Sequence, residues 1–188
     1  MKYFNKETVL LLVVLFIGLL LVLKTVKFPT YGTVNVAIMQ QKGAIKTVDT
    51  QQKLSSTKHI SVDSLNFLES RILEHPNLGK LGYTSNIFLK ATTEMNVETS
   101  GEYTFFVTSD DGFRLKIDGV AVCEHPGDRP MRTTVCKKIL NKKSHRFELL
   151  YFQGGGPMGL HVSYKFQGES SSHFIGEASK NMSFKEIK

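Results

Sequence analysis

Two adjacent carboxylates, Asp110 and Asp111, are followed by Gly112 and stand between two segments in which apolar and polar residues alternate. Alternation with a period of two is typical of half-buried antiparallel strands, and Asp-Gly between such strands predicts a tight hairpin turn. Carboxylates on neighbouring residues repel each other at neutral pH. The pair must therefore be solvated, neutralised by nearby groups or used, and it is the strongest candidate for chemistry in this sequence.

The segments that position this pair are predicted to be strands of one domain. Residues 103–107 and 113–117 alternate on either side of the pair, and Asp118-Gly119 marks a second tight turn. Further alternating segments predict strands at Thr33–Met39, Ile87–Val97, Thr133–Leu140, Arg146–Phe152 and Leu160–Phe166. About seven short strands separated by turn signals are typical of an all-β fold, an antiparallel β-sandwich or barrel.

Two segments before these strands lack the alternation. Residues 40–59 are polar and predict a loop. Leu65, Leu68 and Ile72 have the spacing of one helix face, which predicts a short helix over residues 64–74.

The chain is expected to divide into four parts. Residues 1–7 form a short cytoplasmic leader and residues 8–27 a transmembrane anchor. Residues 28–168 form the β-sandwich. Residues 169–188 form a C-terminal tail, which either trails from the domain or adds one strand at residues 173–175.

The anchor is predicted from an unbroken apolar run, Val9–Leu23. With its flanks it gives roughly 28 Å of helix, close to the roughly 30 Å thickness of a bilayer core. No small-x-small cleavage pattern follows the run, so a single uncleaved helix is predicted in preference to a signal peptide. Lysines lie on both sides of the run, so the positive-inside rule leaves the orientation open.

The two cysteines, Cys123 and Cys136, bracket a loop rich in turn-forming residues. A pair separated by one loop predicts a disulfide in an oxidising compartment. Two other interpretations are open: two buried free thiols, or a metal site that also uses His125, although its spacing fits no common zinc pattern. A disulfide favours a domain outside the cytoplasm, which in a bacterium means the periplasm, with the anchor in the inner membrane.

The net charge of +7 is partly concentrated in the first 27 residues, where four lysines accompany one glutamate. The remainder is moderately basic and lacks a dense Lys/Arg stripe with interleaved aromatics, so no nucleic-acid partner is expected. A basic run over residues 137–146 is interpreted as a solvated strand edge, in preference to a contact surface for anionic glycan or lipid headgroups. The six histidines are scattered and no pair of nucleophile and base is indicated, so we expect neither enzymatic activity nor a catalytic residue.

The order of the motifs resembles the PA-fourteen domain, a β-sandwich of bacterial toxins, glycosidases, adhesins and fungal flocculins. The resemblance is strongest over residues 87–166. Its motifs are Gly-x-Tyr-Thr-Phe from Gly101, Ser-Asp-Asp-Gly from Ser109 and Ile-Asp-Gly from Ile117, followed by a Gly-rich turn and a last alternating strand. The resemblance implies a PA-fourteen-like antiparallel β-sandwich, here preceded by the single transmembrane helix.

In carbohydrate-binding members of this family, the adjacent Asp pair coordinates Ca²⁺ and the ion binds sugar hydroxyls. The resemblance therefore implies Asp110 and Asp111 as candidate calcium ligands, which suits the preference of Ca²⁺ for oxygen. Alternatively, the two carboxylates pin their own loop by accepting backbone N–H groups. The remaining candidate ligand-binding residues are Gln153, Gly154, Gly155, Gly156 and His161.

Two functions from different classes follow from these observations. The first is a membrane-anchored extracytoplasmic module that recognises carbohydrate of the envelope or a secreted polysaccharide, with Ca²⁺ as the candidate cofactor. The second is a non-catalytic scaffold or accessory subunit of an envelope complex for secretion, motility or polysaccharide export. The expected partners are therefore a membrane and either a glycan or an envelope protein complex.

Overall fold

The computed structural model describes residues 9, 12–18 and 32–187 of the chain. Residues 12–18 are helical and their side chains are exposed. The predicted leader over residues 1–7 and most of the predicted anchor over residues 8–27 lie outside the described residues. Within the described residues, no helix is both long and apolar enough to cross a membrane.

The chain from residue 32 onward is built from strands. In chain order they are β1 (Val34–Gln41), β2 (Leu54–Val62), β3 (Asn66–Ser70), β4 (Glu74–His75), β5 (Gly79–Lys80), β6 (Ile87–Val97), β7 (Gly101–Asp110), β8 (Phe113–Ile117), β9 (Val120–His125), β10 (Arg132–Leu140), β11 (Ser144–Gln153), β12 (Met158–Phe166), β13 (His173–Phe174) and β14 (Met182–Phe184).

The strands pair in two large antiparallel sheets and one small hairpin. The first sheet has seven strands in the order β2-β1-β6-β11-β8-β9, with β14 also paired to β6. The second has five strands in the order β10-β7-β12-β13, with β3 also paired to β12, while β4 and β5 form the hairpin. The predicted all-β antiparallel sandwich is therefore confirmed.

Side chains from both sheets meet in one main core. The alternation that predicts the strands also supplies this core, because every second side chain points between the sheets. Tyr103 and Phe105 from β7 and Phe113 and Leu115 from β8 are fully buried. Burial of a large apolar side chain contributes roughly 1.5–3 kcal/mol, so these residues firmly fix the ends of β7 and β8 on either side of the Asp pair.

The predicted hairpin turn at Asp110-Asp111-Gly112 is wrong, because the flanking strands belong to different sheets. β7 pairs with β10 and β12, whereas β8 pairs with β9 and β11. The three residues form a crossover between the sheets. A Cβ on Gly112 would lie 2.5 Å from the carbonyl oxygen of His125 and 2.6 Å from that of Gly127, so only glycine fits there. Alternation reports which side chains are buried, and it does not identify the neighbouring strand.

The second predicted turn, at Asp118-Gly119, is a hairpin between β8 and β9. Its two residues have φ values of 53° and 78°, as a type I′ turn requires. The Asp118 carboxylate also holds the start of β11, because it contacts His145 Nδ1 at 2.7 Å and accepts the Arg146 N–H at 2.9 Å.

The predicted helix over residues 64–74 is wrong, since this segment contains β3 and β4. The Leu65 N–H donates to the carbonyl of Ile175 at 2.8 Å, and the Leu65 carbonyl accepts the N–H of Val162 at 2.9 Å. Both partners are distant in sequence, so tertiary pairing overrides the local helical spacing.

The predicted loop over residues 40–59 is also partly wrong, because β2 begins at Leu54 and pairs with β1 as far as Val62. The side chains from Leu54 to His59 are all exposed. An edge strand of this kind is held by backbone pairing with its neighbour and does not require a buried face. Its sequence therefore need not alternate between apolar and polar residues.

The described part of the C-terminal tail, residues 169–187, packs on the sandwich. β13 pairs with β12 close to residues 173–175, where the sequence left an added strand as one of two alternatives, and β14 adds a second pairing with β6. Ile175 and Met182 are fully buried in the main core. The tail therefore contributes to the same hydrophobic core as the preceding strands.

Cys123 on β9 and Cys136 on β10 form a disulfide, with their Cα atoms 6.0 Å apart, which confirms the predicted pairing. β9 and β10 are edge strands of the two different sheets. The bond therefore links the sheets along one edge, and it holds both ends of the loop over residues 124–135.

Candidate ligand-binding site

Asp110 and Asp111 lie at one end of the sandwich, where β7 ends and the chain crosses to β8. The peptide bond between them is cis. Only 9% of Asp110 and 7% of Asp111 is exposed. Two other segments converge on the pair. One is the loop over residues 124–131, counted from Cys123 and so including the last two residues of β9, and the other is the Gly-rich turn over residues 154–156, which follows β11.

The Asp111 carboxylate is held by backbone donors from both of these segments. Its Oδ2 accepts the N–H of Gly154 at 2.8 Å, and its Oδ1 accepts the N–H of Arg129 at 3.3 Å. The main chain is held as well, because the Ser109 hydroxyl donates to the Asp111 carbonyl at 2.7 Å. These are the hydrogen bonds expected if the pair pins its own loop.

The Asp110 carboxylate has fewer donors. The nearby backbone N–H of Met131 and the charge of Arg129 favour its ionised form and so oppose the rise of its pKa. The two Nη atoms of Arg129, however, donate to the hydroxyls of Thr134 and Ser109 at 2.8 Å each. Among the described residues, therefore, no side-chain hydrogen bond compensates the charge of Asp110.

The negative charge of the ionised Asp pair is consequently not fully balanced by positive groups nearby. Burial, followed by the charges of Asp111 and Glu69, raises the pKa of Asp110 to about 6. Burial also raises the pKa of Asp111, although its two backbone hydrogen bonds oppose this effect. Carboxyl pKa values raised by burial and by like charge indicate that the ionised forms lack a partner, which a bound cation would supply.

The side chain of Gln153 shapes the Gly-rich turn from inside. Gln153 is fully buried, and its Nε2 donates to the carbonyls of Gly155 at 3.0 Å and Pro157 at 2.9 Å. Its Oε1 accepts the hydroxyl of Tyr151 at 3.0 Å. Gln153 therefore holds the turn from within the fold, while Gly155 and Gly156 are exposed at its tip.

Gly154 presents an N–H to the Asp pair, and it is tightly enclosed. A Cβ at Gly154 would lie 2.8 Å from the carbonyl oxygen of Ile45. Ile45 is buried with Phe88 and Phe152 in a second, smaller cluster. The loop over residues 42–53, which carries Ile45, thus clamps the Gly-rich turn against Asp111.

His161 lies on β12 opposite Thr108, two residues beyond Gly159, which is opposite Asp110. Its side chain is half-buried, its ring centroid lies 6.3 Å from that of Phe174, and burial lowers its pKa. Within the part of the chain that the structure describes, no hydrogen bond joins His161 to the Asp pair.

The loop over residues 124–131 is the part of the site that sequence reasoning missed. It supplies the N–H of Arg129 to Asp111 and places the N–H of Met131 near Asp110, and its carbonyl groups close over Gly112. One signal could have indicated it: a disulfide fixes both ends of this loop, so its many turn-forming residues must fold back on the domain.

The Asp pair fits a divalent cation in charge and in donor chemistry. No cluster of three or more His, Cys, Asp or Glu side chains suited to a metal occurs in the described residues. Ca²⁺ takes about six to eight oxygen ligands, which include backbone carbonyls and water. Asp110 and Asp111 would therefore be its side-chain ligands, and carbonyl, water or sugar oxygens would complete the coordination.

The strand order and the crossover with its Asp pair define the class of domain. Residues 82–173, which span β6 to β12, match the family model of the PA14 domain. The family match covers this segment of the chain, and the fold is the PA14 β-sandwich.

Solved structures share this fold. A PA14 sugar-binding domain from an RTX adhesin matches with a TM-score of 0.60 and 17% identity, covering 75% of this chain and 93% of that chain. The PA14 domain of the MpAFP antifreeze protein matches with a TM-score of 0.61 and 13% identity, covering 80% of this chain and 91% of that chain. The epithelial adhesin 6 A domain from Candida glabrata, in complex with Galβ1-3GlcNAc, matches with a TM-score of 0.56 and 12% identity, covering 87% of this chain and 91% of that chain. No curated protein matches the chain.

Replacement of Gly154 by alanine should loosen the clamp on the Asp pair. The added Cβ would lie 2.8 Å from the Ile45 carbonyl and 3.5 Å from Asp111 Oδ2, so the turn must shift, at a cost of about 1–3 kcal/mol. Denaturant unfolding of the full chain measures this cost. Gly155→Ala is the matched control, because its nearest neighbour would be the Ser85 Cβ at 4.0 Å. Equal stabilities of the two variants would contradict the clamp.

The raised pKa of Asp110 predicts a pH dependence of stability in the absence of divalent cations. Its folded value of about 6 exceeds the ordinary value of about 4, so the folded state binds the proton more tightly and stability falls as pH rises from about 4 to about 6. We expect a loss on the order of 2 kcal/mol, measured by unfolding in chelating buffer. Asp110→Asn should remove most of this slope, and the exposed control Glu186→Gln should retain it. An unchanged slope in Asp110→Asn would refute the assignment.

Proposed function

We propose that this domain is a non-catalytic carbohydrate-binding module whose ligand site is the end of the sandwich that carries Asp110 and Asp111. The observation that carries the proposal is the nearly buried Asp pair with unbalanced charge. Two domains of similar fold support a saccharide ligand: one is described as sugar-binding, and the other is solved with Galβ1-3GlcNAc.

In this proposal, Asp110 and Asp111 are the side-chain ligands of a calcium ion. When bound, Ca²⁺ would supply coordination positions for sugar hydroxyls. The N–H groups of Arg129 and Gly154 hold the Asp111 carboxylate in place before any ligand arrives, so little ordering cost is left for binding. The exposed glycines at the tip of the turn leave space for a sugar ring beside Asp111.

The proposal also includes the anchor over residues 8–27 and an extracytoplasmic sandwich in the periplasm. The apolar run Val9–Leu23 supports a membrane anchor, and the Cys123–Cys136 disulfide supports an oxidising compartment. A glycan ligand in the envelope or a secreted polysaccharide is consistent with that location.

The location predicts the redox state of the cysteines in cells. After rapid acid quenching and alkylation without reductant, mass spectrometry should find both Cys123 and Cys136 unmodified and linked, because the periplasm is oxidising. The same sample alkylated after reduction is the control and should carry two labels. Two labels without reductant would refute the extracytoplasmic location.

Calcium and saccharide binding test the function itself. Millimolar Ca²⁺ should raise the melting temperature of the full chain in mild detergent. At a Ca²⁺ concentration of 100 times the dissociation constant, the free energy of unfolding should rise by about 2.7 kcal/mol. Asp110→Asn and Asp111→Asn should lose both this effect and binding on a glycan array, whereas Glu186→Gln should keep both. Mg²⁺ should be a weak substitute, because it prefers a rigid octahedral site that retains water.

The alternative function predicts a different outcome of the same experiment. A scaffold of an envelope complex would show no stabilisation by Ca²⁺ and no saccharide binding, and it would co-purify with envelope proteins in mild detergent. That combination of results would overturn the carbohydrate-binding proposal.

A further inference from the structure

A hollow of about 260 Å³ lies on the loop over residues 124–131, the loop that donates an N–H to Asp111. It is lined by His125, Arg129, Pro130, Met131 and Arg132. All five lining residues come from this loop and from the first residue of β10.

The hollow and the Asp pair share the same backbone segment. The main-chain N–H of Arg129 bonds to the Asp111 carboxylate and that of Met131 lies near the Asp110 carboxylate, while the side chains of both residues line the hollow. Arg132 pairs with Ser109 in the neighbouring strand, one residue before Asp110. A ligand seated at the pair would therefore lie next to the hollow.

The hollow is basic and has no acidic lining residue. Among the described residues, neither Arg129 nor Arg132 takes part in a salt bridge. The guanidinium of Arg129 donates to two uncharged hydroxyls and lies 5.3 Å from the centre of the Phe113 ring, while its Nε has no partner in this part of the chain. The nearest loop acid, Asp128, is exposed and does not line the hollow.

The two arginines oppose each other electrostatically. Arg129 and Arg132 both line the hollow, so their positive charges lie close enough to repel each other. Cations held close together without an acidic partner favour an anion between them. Guanidinium groups match carboxylate and sulfate oxygens with paired N–H donors, which makes such contacts stronger than neutral hydrogen bonds.

We propose that this hollow is a subsite for an anionic substituent, a carboxylate or a sulfate, of a saccharide bound at the Asp pair. The ligand of the module is then an acidic glycan. Arg132 and Arg129 contact the anion, and the apolar surfaces of Pro130 and Met131 pack against the sugar ring. This inference rests on the proposed carbohydrate-binding function, and it names the class of saccharide.

Three oligosaccharides with galactose-type rings test the proposal by titration calorimetry with the full chain: a neutral galactan, an oligogalacturonate and a sulfated galactan. The unmodified chain should bind at least one acidic oligosaccharide about tenfold or more tightly than the neutral one, which corresponds to one charge-assisted hydrogen bond. Comparison of the oligogalacturonate with the sulfated galactan identifies which anion is preferred. The preference should weaken as salt concentration rises.

Arg132→Gln is the informative variant, because Arg132 is exposed and forms no salt bridge among the described residues. It should lose most of the tenfold preference while binding of the neutral oligosaccharide stays unchanged. Lys142→Gln is the matched control: it removes the same charge just beyond the far end of β10, roughly 30 Å along the strand, and should keep the preference.

The outcomes separate the two proposals. Binding of the neutral oligosaccharide as tightly as the acidic ones, or an acidic preference retained in Arg132→Gln, would overturn the subsite and leave the carbohydrate-binding function standing. Failure to bind any of the three oligosaccharides, together with no response of stability to Ca²⁺, would overturn the proposed function and the subsite with it.

Discussion

Two adjacent carboxylates buried at one end of the sandwich impose the constraint on which the surrounding structure depends. Repulsion between like charges grows as water is removed, so the fold must bring donors to Asp110 and Asp111. It does so with the backbone N–H groups of Arg129 and Gly154, which hold Asp111, and with the nearby N–H of Met131, which favours the ionised form of Asp110. These donors come from two loops that are distant in sequence from the pair. The disulfide holds the first loop, and the buried amide of Gln153 shapes the second.

Pinning of the loop and binding of a cation are compatible uses of the same two residues. An ionised carboxylate has about four lone-pair sites, and each oxygen of Asp111 accepts one N–H among the described residues. Oxygen lone pairs therefore remain for a metal. The hydrogen bonds fix the orientation of the carboxylates, and fixed ligands lose little entropy on binding. The charge that the N–H groups leave unbalanced distinguishes this crossover from an ordinary Asp-rich turn.

Prediction from the sequence was most accurate where burial and alternation coincide. β6 has the predicted bounds, Ile87–Val97, because alternate side chains enter the core along its whole length. β2 was missed, since an exposed edge strand needs only backbone pairing with β1. The segment that contains β3 was mistaken for a helix, because the backbone partners of Leu65, which are Val162 and Ile175, lie a hundred residues or so further along the chain, outside any local pattern.

The sequence by itself determined the groups that carry chemistry: the Asp pair, the glycines that follow it and follow β11, and two cysteines able to join. Only the tertiary structure decided that the Asp pair lies at a crossover between sheets and not in a hairpin. It also decided that the loop bearing Arg129 meets the pair, with Arg132 beside it at the start of β10. The physical reason is that these contacts use backbone N–H groups and long-range strand pairing. Every residue except proline has the same N–H, so no residue type marks which one will meet a carboxylate.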